Sequence, residues 1–183
     1  MLSFLKYLFQ LIISPARGWE DVSHAGTPYD ELTSRGLYPL LGVAAISVFV
    51  SAFYNHDLTF IRLLQGAIIT FVKFFITYFI AVALFSLAAS KMSDGELNEK
   101  KSHTFIIYNI GLLALYNIIE NILPIQLSFV QFLPLYSAII IWKGARYLAI
   151  REESMLQFTL FGIFSIIVPP YLISWIFNSI IPS

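Results

Sequence analysis

A single long apolar stretch, Leu58 to Ser90, most constrains what this chain can fold into. Its 33 residues contain only two charged side chains, Arg62 and Lys73. A bilayer core about 30 Å thick needs about 20 apolar helical residues to be crossed. The stretch is therefore long enough to span a membrane. An ammonium group such as that of Lys73 is costly in the middle of a span and usually has a function there.

The composition of the whole chain agrees with a membrane location. The sequence is 58% hydrophobic and 12% charged, whereas soluble domains are usually about 45–50% apolar and about a quarter charged. The formal net charge of zero gives no basic field of the kind that binds nucleic acid. The absence of cysteine excludes disulfides and thiolate chemistry. The sequence thus predicts a multi-pass membrane protein with no nucleic-acid partner.

The hydropathy pattern predicts an all-α membrane protein with five transmembrane helices and a short N-terminal amphipathic interfacial helix, all in one domain of residues 1–183. Tandem prolines, Pro169 and Pro170, should break or kink the last helix. The predicted segments are the interfacial helix 2–13, a polar entry segment 14–36, and spans at about 37–54, 58–90, 104–123, 125–147 and 156–181.

The N-terminal helix is predicted to lie in the plane of the membrane interface. Four polar side chains, Ser3, Lys6, Gln10 and Ser14, recur every three or four residues and share one helical face. The opposite face is apolar. At about a dozen residues the helix is too short to cross a bilayer, and we expect it to rest on the surface by its apolar face. No signal-peptide cleavage site follows it.

The basic residues predict the orientation. Nine of the eleven lysine and arginine residues fall before span one, between spans two and three, or between the last turns of span four and the start of span five. These three segments lie on the same side of a five-span protein. The positive-inside rule places that side in the cytoplasm, so we expect a cytoplasmic N-terminus and an external C-terminus.

The third span carries an unusual number of polar side chains. Asn109, Tyr116 and Glu120 fall within about 40° on a helical wheel, with Asn117 beside them. Glu120 and Lys73 lie at similar depths, roughly 24 and 25 Å from the cytoplasmic ends of their spans. We therefore predict an intramembrane polar cluster containing a Lys73–Glu120 ion pair. In the alternative, Lys73 extends outward and Glu120 is solvated at the membrane boundary.

A second candidate site lies at the end of the fourth span. Trp142 is followed by Lys143, Gly144, Ala145, Arg146 and Tyr147, a mixture that suits the membrane boundary. Interfacial Lys143 and Arg146 could hold an anionic head group, or simply be the positive flank of an aromatic belt. Sequence motifs for metal binding and for serine hydrolases are absent, so no catalytic residues, metal or cofactor are expected.

The entry segment carries a family resemblance. The run SPARGWEDVS contains Pro15, Gly18, Trp19 and Glu20, and it leads into spans that begin on the cytoplasmic side. In this the chain resembles the Yip family of five-span, Ypt/Rab-interacting membrane proteins, in a compact prokaryote-like form. The resemblance implies a non-enzymatic integral membrane protein of, here, the bacterial cytoplasmic (inner) membrane.

Eukaryotic members of that family bind prenylated Rab GTPases and act in vesicle formation. The present sequence lacks their D-L-Y-G-P motif and long cytosolic tail, and Gly36-Leu37-Tyr38-Pro39 matches the motif only in part. This difference argues against a GTPase partner.

Two functions follow as hypotheses. The first is a membrane-organising or protein-interaction and trafficking component, whose partners are the bilayer and another membrane protein or a second copy of the chain. The second is a small transporter, channel or lipid-handling protein that uses the polar residues of spans two and three. A subunit that folds only within a larger complex is a third possibility.

Overall fold

A computed structural model describes residues 1–55, 57–93, 98–123 and 132–180. The described residues are mostly helical, and no strand occurs among them. The helices, in chain order, are α1 Leu2–Ile13, α2 Pro15–Ala25, α3 Tyr29–Leu32, α4 Tyr38–Ser47, α5 Phe60–Ala88, α6 Glu99–Ile122, α7 Leu133–Gly144, α8 Met155–Gly162 and α9 Val168–Ile180. Short π-helical turns join α3 to α4 (Thr33–Leu37) and α8 to α9 (Ile163–Ile167).

Four continuous helical segments are long and apolar enough to cross a bilayer: Tyr29–Phe53, Phe60–Leu87, Glu99–Ile122 and Glu152–Ile180. They confirm a multi-pass, all-helical membrane protein. The first and third begin earlier than predicted. For the third, Asn98 accepts a hydrogen bond from the Lys101 amide at 3.3 Å, a side-chain N-cap that starts the helix within the charged loop.

A count of five spans is not confirmed, because the predicted fourth span, at residues 125–147, is missing from these four segments. Residues 124–131 lie outside the described part of the chain. The described helix of this region, α7, has 12 residues, too few to cross a bilayer. The chain nevertheless returns here, because α6 ends at the far end of the bundle while Gly144, at the end of α7, packs on Phe105 near the start of α6.

Helix α6, rather than α5, occupies the centre of the bundle. Of its most apolar 18-residue window, 72% is buried within the protein, against 33% for each of the other three candidate spans. Yet α5 is the more apolar helix, with a mean hydropathy of 2.3 against 1.4 for α6. A helix that faces lipid has to be apolar, whereas a helix enclosed by protein can pair its polar side chains with neighbouring groups.

The prolines of the last span do not end the helix. Pro169 and Pro170 lie in the first turn of α9, directly after the π-helical turn Ile163–Ile167. Pro39 is placed in the same way, in the first turn of α4 and after the π-helical turn Thr33–Leu37. A proline ring clashes with the carbonyl four residues earlier, and local π-helical widening is one way in which membrane helices accommodate it. Of the predicted break or kink, a break does not occur, because the helical segment continues through the two prolines by way of the π-helical turn.

The N-terminal helix forms as predicted, but its apolar face is packed against the protein. Phe4, Leu8 and Leu11 are buried, and the Phe4 ring stacks on Tyr108 of α6 with 5.0 Å between centroids. A Cβ atom added at Gly111 of α6 would lie 3.0 Å from Phe4, so this glycine permits the close approach. The residues left exposed on α1 include Leu2, Phe9 and Ile13.

The bundle has two distinct ends. At one end of the bundle, α6 begins and α7 ends. We call it the basic end, because it carries Lys100, Lys101, Lys143 and Arg146. Aromatic contacts of Phe105 with Phe85 and Phe158 place the end of α5 and the start of α8 there as well. The opposite end contains the end of α6 at Ile122 and the start of α5 at Phe60.

Candidate functional site

Four of the five predicted cluster residues meet around one small cavity. We call it the polar cavity. Its volume is about 50 Å³, enough for a few water molecules. Its walls come from α5 (Lys73 and Phe74), α6 (Leu113, Tyr116, Asn117 and Glu120), α7 (Pro134) and α9 (Pro170, Tyr171 and Ser174).

The Lys73–Glu120 ion pair is not formed. Within the described residues, the ion pairs closer than 4.0 Å are Arg35–Glu31 and His103–Glu99. The Lys73 ammonium instead lies over the ring of Phe74, 4.9 Å from its centroid, and Glu120 is exposed. Both side chains nevertheless line the same cavity, so their depths in the bundle are similar, as predicted. An exposed carboxylate keeps its solvation, which a closed pair would have to give up.

The polar cavity has unsatisfied oxygen atoms in its wall. The Tyr116 hydroxyl and the Asn117 side-chain carbonyl are buried without a hydrogen-bond partner among the described residues. Ser137 of α7 interacts with the Tyr116 hydroxyl, but in a geometry that completes no hydrogen bond. Buried polar atoms are normally paired with protein or water. An ammonium, a carboxylate and a phenol around such a space can order water and relay protons.

Asn109 does not belong to this cluster. It is fully buried and donates a hydrogen bond from Nδ2 to the Phe105 carbonyl at 2.8 Å, one turn back along α6. The Tyr78 hydroxyl, on α5, lies 3.2 Å from Nδ1 of His103, and Tyr78 does not line the polar cavity. Shared helical face and depth brought Tyr116 and Glu120 together, but Asn109 is eleven residues from Glu120, or about 16 Å along the axis.

The entry motif packs α2 against α1. Pro15 opens α2 at its first position, where a missing N–H is tolerated. Gly18 lies against α1, and a Cβ atom added there would be 2.8 Å from the Leu11 Cα. Asp21 accepts a hydrogen bond from the Gln10 amide of α1. The fourth motif residue, Glu20, is exposed. These contacts make α1 and α2 a paired unit.

Trp19 anchors that unit to the bundle. Only 3% of the residue is exposed, and its indole Nε1 donates a hydrogen bond to the Ile140 carbonyl of α7 at 2.9 Å. Its ring stacks on Phe105 and Tyr147, at centroid distances of 5.1 and 5.2 Å. A second bond runs from the Tyr136 hydroxyl to the carbonyl of Ile12 at 2.9 Å. Trp19 is therefore a core residue of the protein.

The interfacial basic residues Lys143 and Arg146 line a pocket at the basic end, together with Lys101. Sequence reasoning missed Lys101, because it counted this residue among the loop charges. The charged residues at the start of α6 were the sequence signal that could have revealed it. Because α6 begins earlier than predicted, its first turn lies beside the end of α7. Tyr147 lies in the same pocket. Burial raises the pKa of its hydroxyl, and an interaction with Thr104 partly opposes that shift.

Comparison with protein-family models, with curated proteins and with solved structures finds no match for this chain.

Proposed function

We propose that this chain is a non-enzymatic, Yip-type integral membrane protein that organises the bilayer around it. The observation that carries the proposal is the α1–α2 unit, which is fixed to one half of the bundle only. Ile140 and Tyr136, the α7 residues that hold it, precede Gly144 by four and eight residues, or about 6 and 12 Å. The unit therefore widens the bundle near its basic end.

A protein that is wider in one leaflet than in the other favours a curved bilayer. Along the described residues, no comparable helix pair is added at the opposite end. The exposed apolar residues of α1, among them Leu2 and Phe9, would contact acyl chains in that widened half. In this proposal the basic end lies on the cytoplasmic side of a bacterial inner membrane, since cytoplasmic segments carry the excess of lysine and arginine.

Tube pulling from giant vesicles tests the proposal. The protein is reconstituted in one orientation, selected through a terminal tag, and its density in the tube is divided by its density in the vesicle. With the basic end on the convex outer leaflet the ratio should exceed one. With the opposite orientation it should fall below one, because the wide half then lies in the compressed leaflet.

Two variants connect that result to α1 and α2. Deletion of residues 2–13 and the substitution Gly18→Ala should both move the ratio towards one, because each removes or displaces α1. Gly42→Ala is the matched control, since a Cβ at Gly42 meets no atom within 4 Å. We call this proposed effect of a protein that is wider in one leaflet the wedge role. A density ratio that is the same in both orientations, or that is unchanged in a folded Gly18→Ala protein, would refute it. Recovery of a specific partner that depends on residues 2–13 would favour the protein-interaction form of the hypothesis.

The polar cavity favours a second candidate, a small transporter or channel. A volume of about 50 Å³ has room for water or a small ion rather than an organic substrate. Proteoliposomes carrying a pH-sensitive dye should then show proton flux that Lys73→Met abolishes and Lys6→Met, on the exposed face of α1, leaves unchanged. Absence of flux under both a pH gradient and a membrane potential would leave the wedge role as the better account.

A further inference from the structure

A larger cavity at the basic end gathers positive charge from separate parts of the chain. It has a volume of about 270 Å³ and lies between α2, α6 and the end of α7. Lys101 reaches it from the first turn of α6, Lys143 from the last turn of α7, and Arg146 from the turn that follows. We call it the basic pocket.

The charge of the basic pocket is not neutralised by the described part of the protein. None of its three cations lies within 4.0 Å of a carboxylate there, where the ion pairs are Arg35–Glu31 and His103–Glu99. Glu20 also lines the pocket, so three cations face one carboxylate. Cations held together in this way attract an anion, and arginine in particular can bind a phosphate through two parallel hydrogen bonds.

The wall of the basic pocket is preformed. Tyr147 stacks on Trp19 at 5.2 Å, and the Lys101 ammonium lies 5.5 Å from the centroid of the Tyr147 ring. Trp19 is in turn fixed by its hydrogen bond to the Ile140 carbonyl. A ligand entering here therefore meets a rigid aromatic surface, so little ordering of the wall is needed when it binds.

An exposed apolar stripe leads away from the pocket along α7. Leu135, Ile139 and Trp142 are 65%, 45% and 52% exposed, and their spacing of four and three residues puts them on one helical face. The stripe ends beside Lys143, at the level where tryptophan marks the membrane boundary. The ligand is therefore expected to combine an anionic head with an apolar tail.

We propose that the basic pocket binds the head-group phosphate of an anionic phospholipid, whose acyl chains lie along the Leu135–Ile139–Trp142 stripe. A basic pocket between helices on the cytoplasmic side is a recurring site for such head groups. The stripe distinguishes a lipid from free phosphate, which would have no use for it. The site does not require the wedge role, since its residues lie on α6 and α7 as well as on α2.

Native mass spectrometry of the full-length protein in an uncharged detergent tests this site. The probes are phosphatidylglycerol and phosphatidylcholine with identical acyl chains, and thermal unfolding is followed in parallel. Phosphatidylglycerol should form a one-to-one complex and raise the unfolding temperature with its concentration, as any ligand of the folded state does. Phosphatidylcholine should do neither.

Matched double variants identify the pocket. Lys143→Gln with Arg146→Gln should weaken phosphatidylglycerol binding by about tenfold or more, because two charge-assisted contacts are lost. Lys6→Gln with Arg62→Gln removes the same charge elsewhere and should leave the affinity unchanged. Equal weakening in both double variants, equal binding of the two lipids, or displacement of the bound lipid by millimolar inorganic phosphate would each overturn the proposal.

Discussion

Replacing Trp19 tests whether the entry motif fixes α1 and α2 to the bundle. Trp19→Ala empties a site that is 3% exposed, and burial of this kind usually makes such a substitution cost about 3–5 kcal/mol. Trp19→Phe retains an aromatic ring but removes the 2.9 Å hydrogen bond to the Ile140 carbonyl. That bond is worth about 1 kcal/mol, and weaker stacking adds up to about 1 kcal/mol. We expect the losses in stability to rank Ala above Phe.

The free energy of unfolding is measured by titrating sodium dodecyl sulfate into mixed micelles, with helicity as the signal. Trp175→Ala is the matched control, because Trp175 is 67% exposed and exposed substitutions usually cost less than about 0.5 kcal/mol. A loss of 3 kcal/mol would also lower the melting temperature by roughly 6–12 °C for a protein of this size.

Two outcomes would refute the reasoning about Trp19. If Trp19→Ala were no more destabilising than Trp175→Ala, the α1–α2 unit could not be anchored through this side chain. If Trp19→Phe cost as much as Trp19→Ala, the hydrogen bond would dominate and the stacking on Phe105 and Tyr147 would contribute little.

Two further predictions concern close contacts and the polar cavity. Gly18→Ala should destabilise the protein by about 1–3 kcal/mol through overpacking against Leu11. Gly42→Ala should be neutral or stabilise it by up to about 1 kcal/mol, and unfolding of both proteins in mixed micelles would show whether the difference exists. In a double-mutant cycle, Lys73→Met and Glu120→Gln should couple by no more than about 1 kcal/mol, because the two groups line one cavity but form no ion pair within 4.0 Å. A coupling above about 2 kcal/mol would indicate that they do pair in a membrane.

The features predicted well from the sequence are helix bounds and helix faces, which depend on the length and period of the apolar segments. The bounds of α5 and of α1 follow closely from runs of apolar residues. The polar positions of α6 indicated three residues that line one cavity, Tyr116, Asn117 and Glu120. Each of these inferences needs only the rise and turn of a helix. They hold because a membrane leaves the backbone few alternatives to helix.

Contacts between helices were predicted less well. Equal depth suggested that Lys73 and Glu120 would pair, but depth does not fix the rotation of either helix. The same reasoning could not show that Lys101 would join Lys143 and Arg146, since these residues are some forty positions apart in the chain. A charge in a predicted loop gives no information about which helix end it will face.

What the sequence by itself determined is that this chain is a multi-pass helical membrane protein with an apolar N-terminal helix and a polar patch in its third span. Only the tertiary structure decided that α6 is the central helix, that α1 buries Phe4 and Leu8 against it, and that Trp19 lies in the core. The physical reason is that hydropathy measures the free energy of transfer from water, and lipid and the interior of a bundle are similar in that respect. Which apolar face meets lipid and which meets protein is decided by close packing, at positions such as Gly18 and Gly111, and that is a property of pairs of helices.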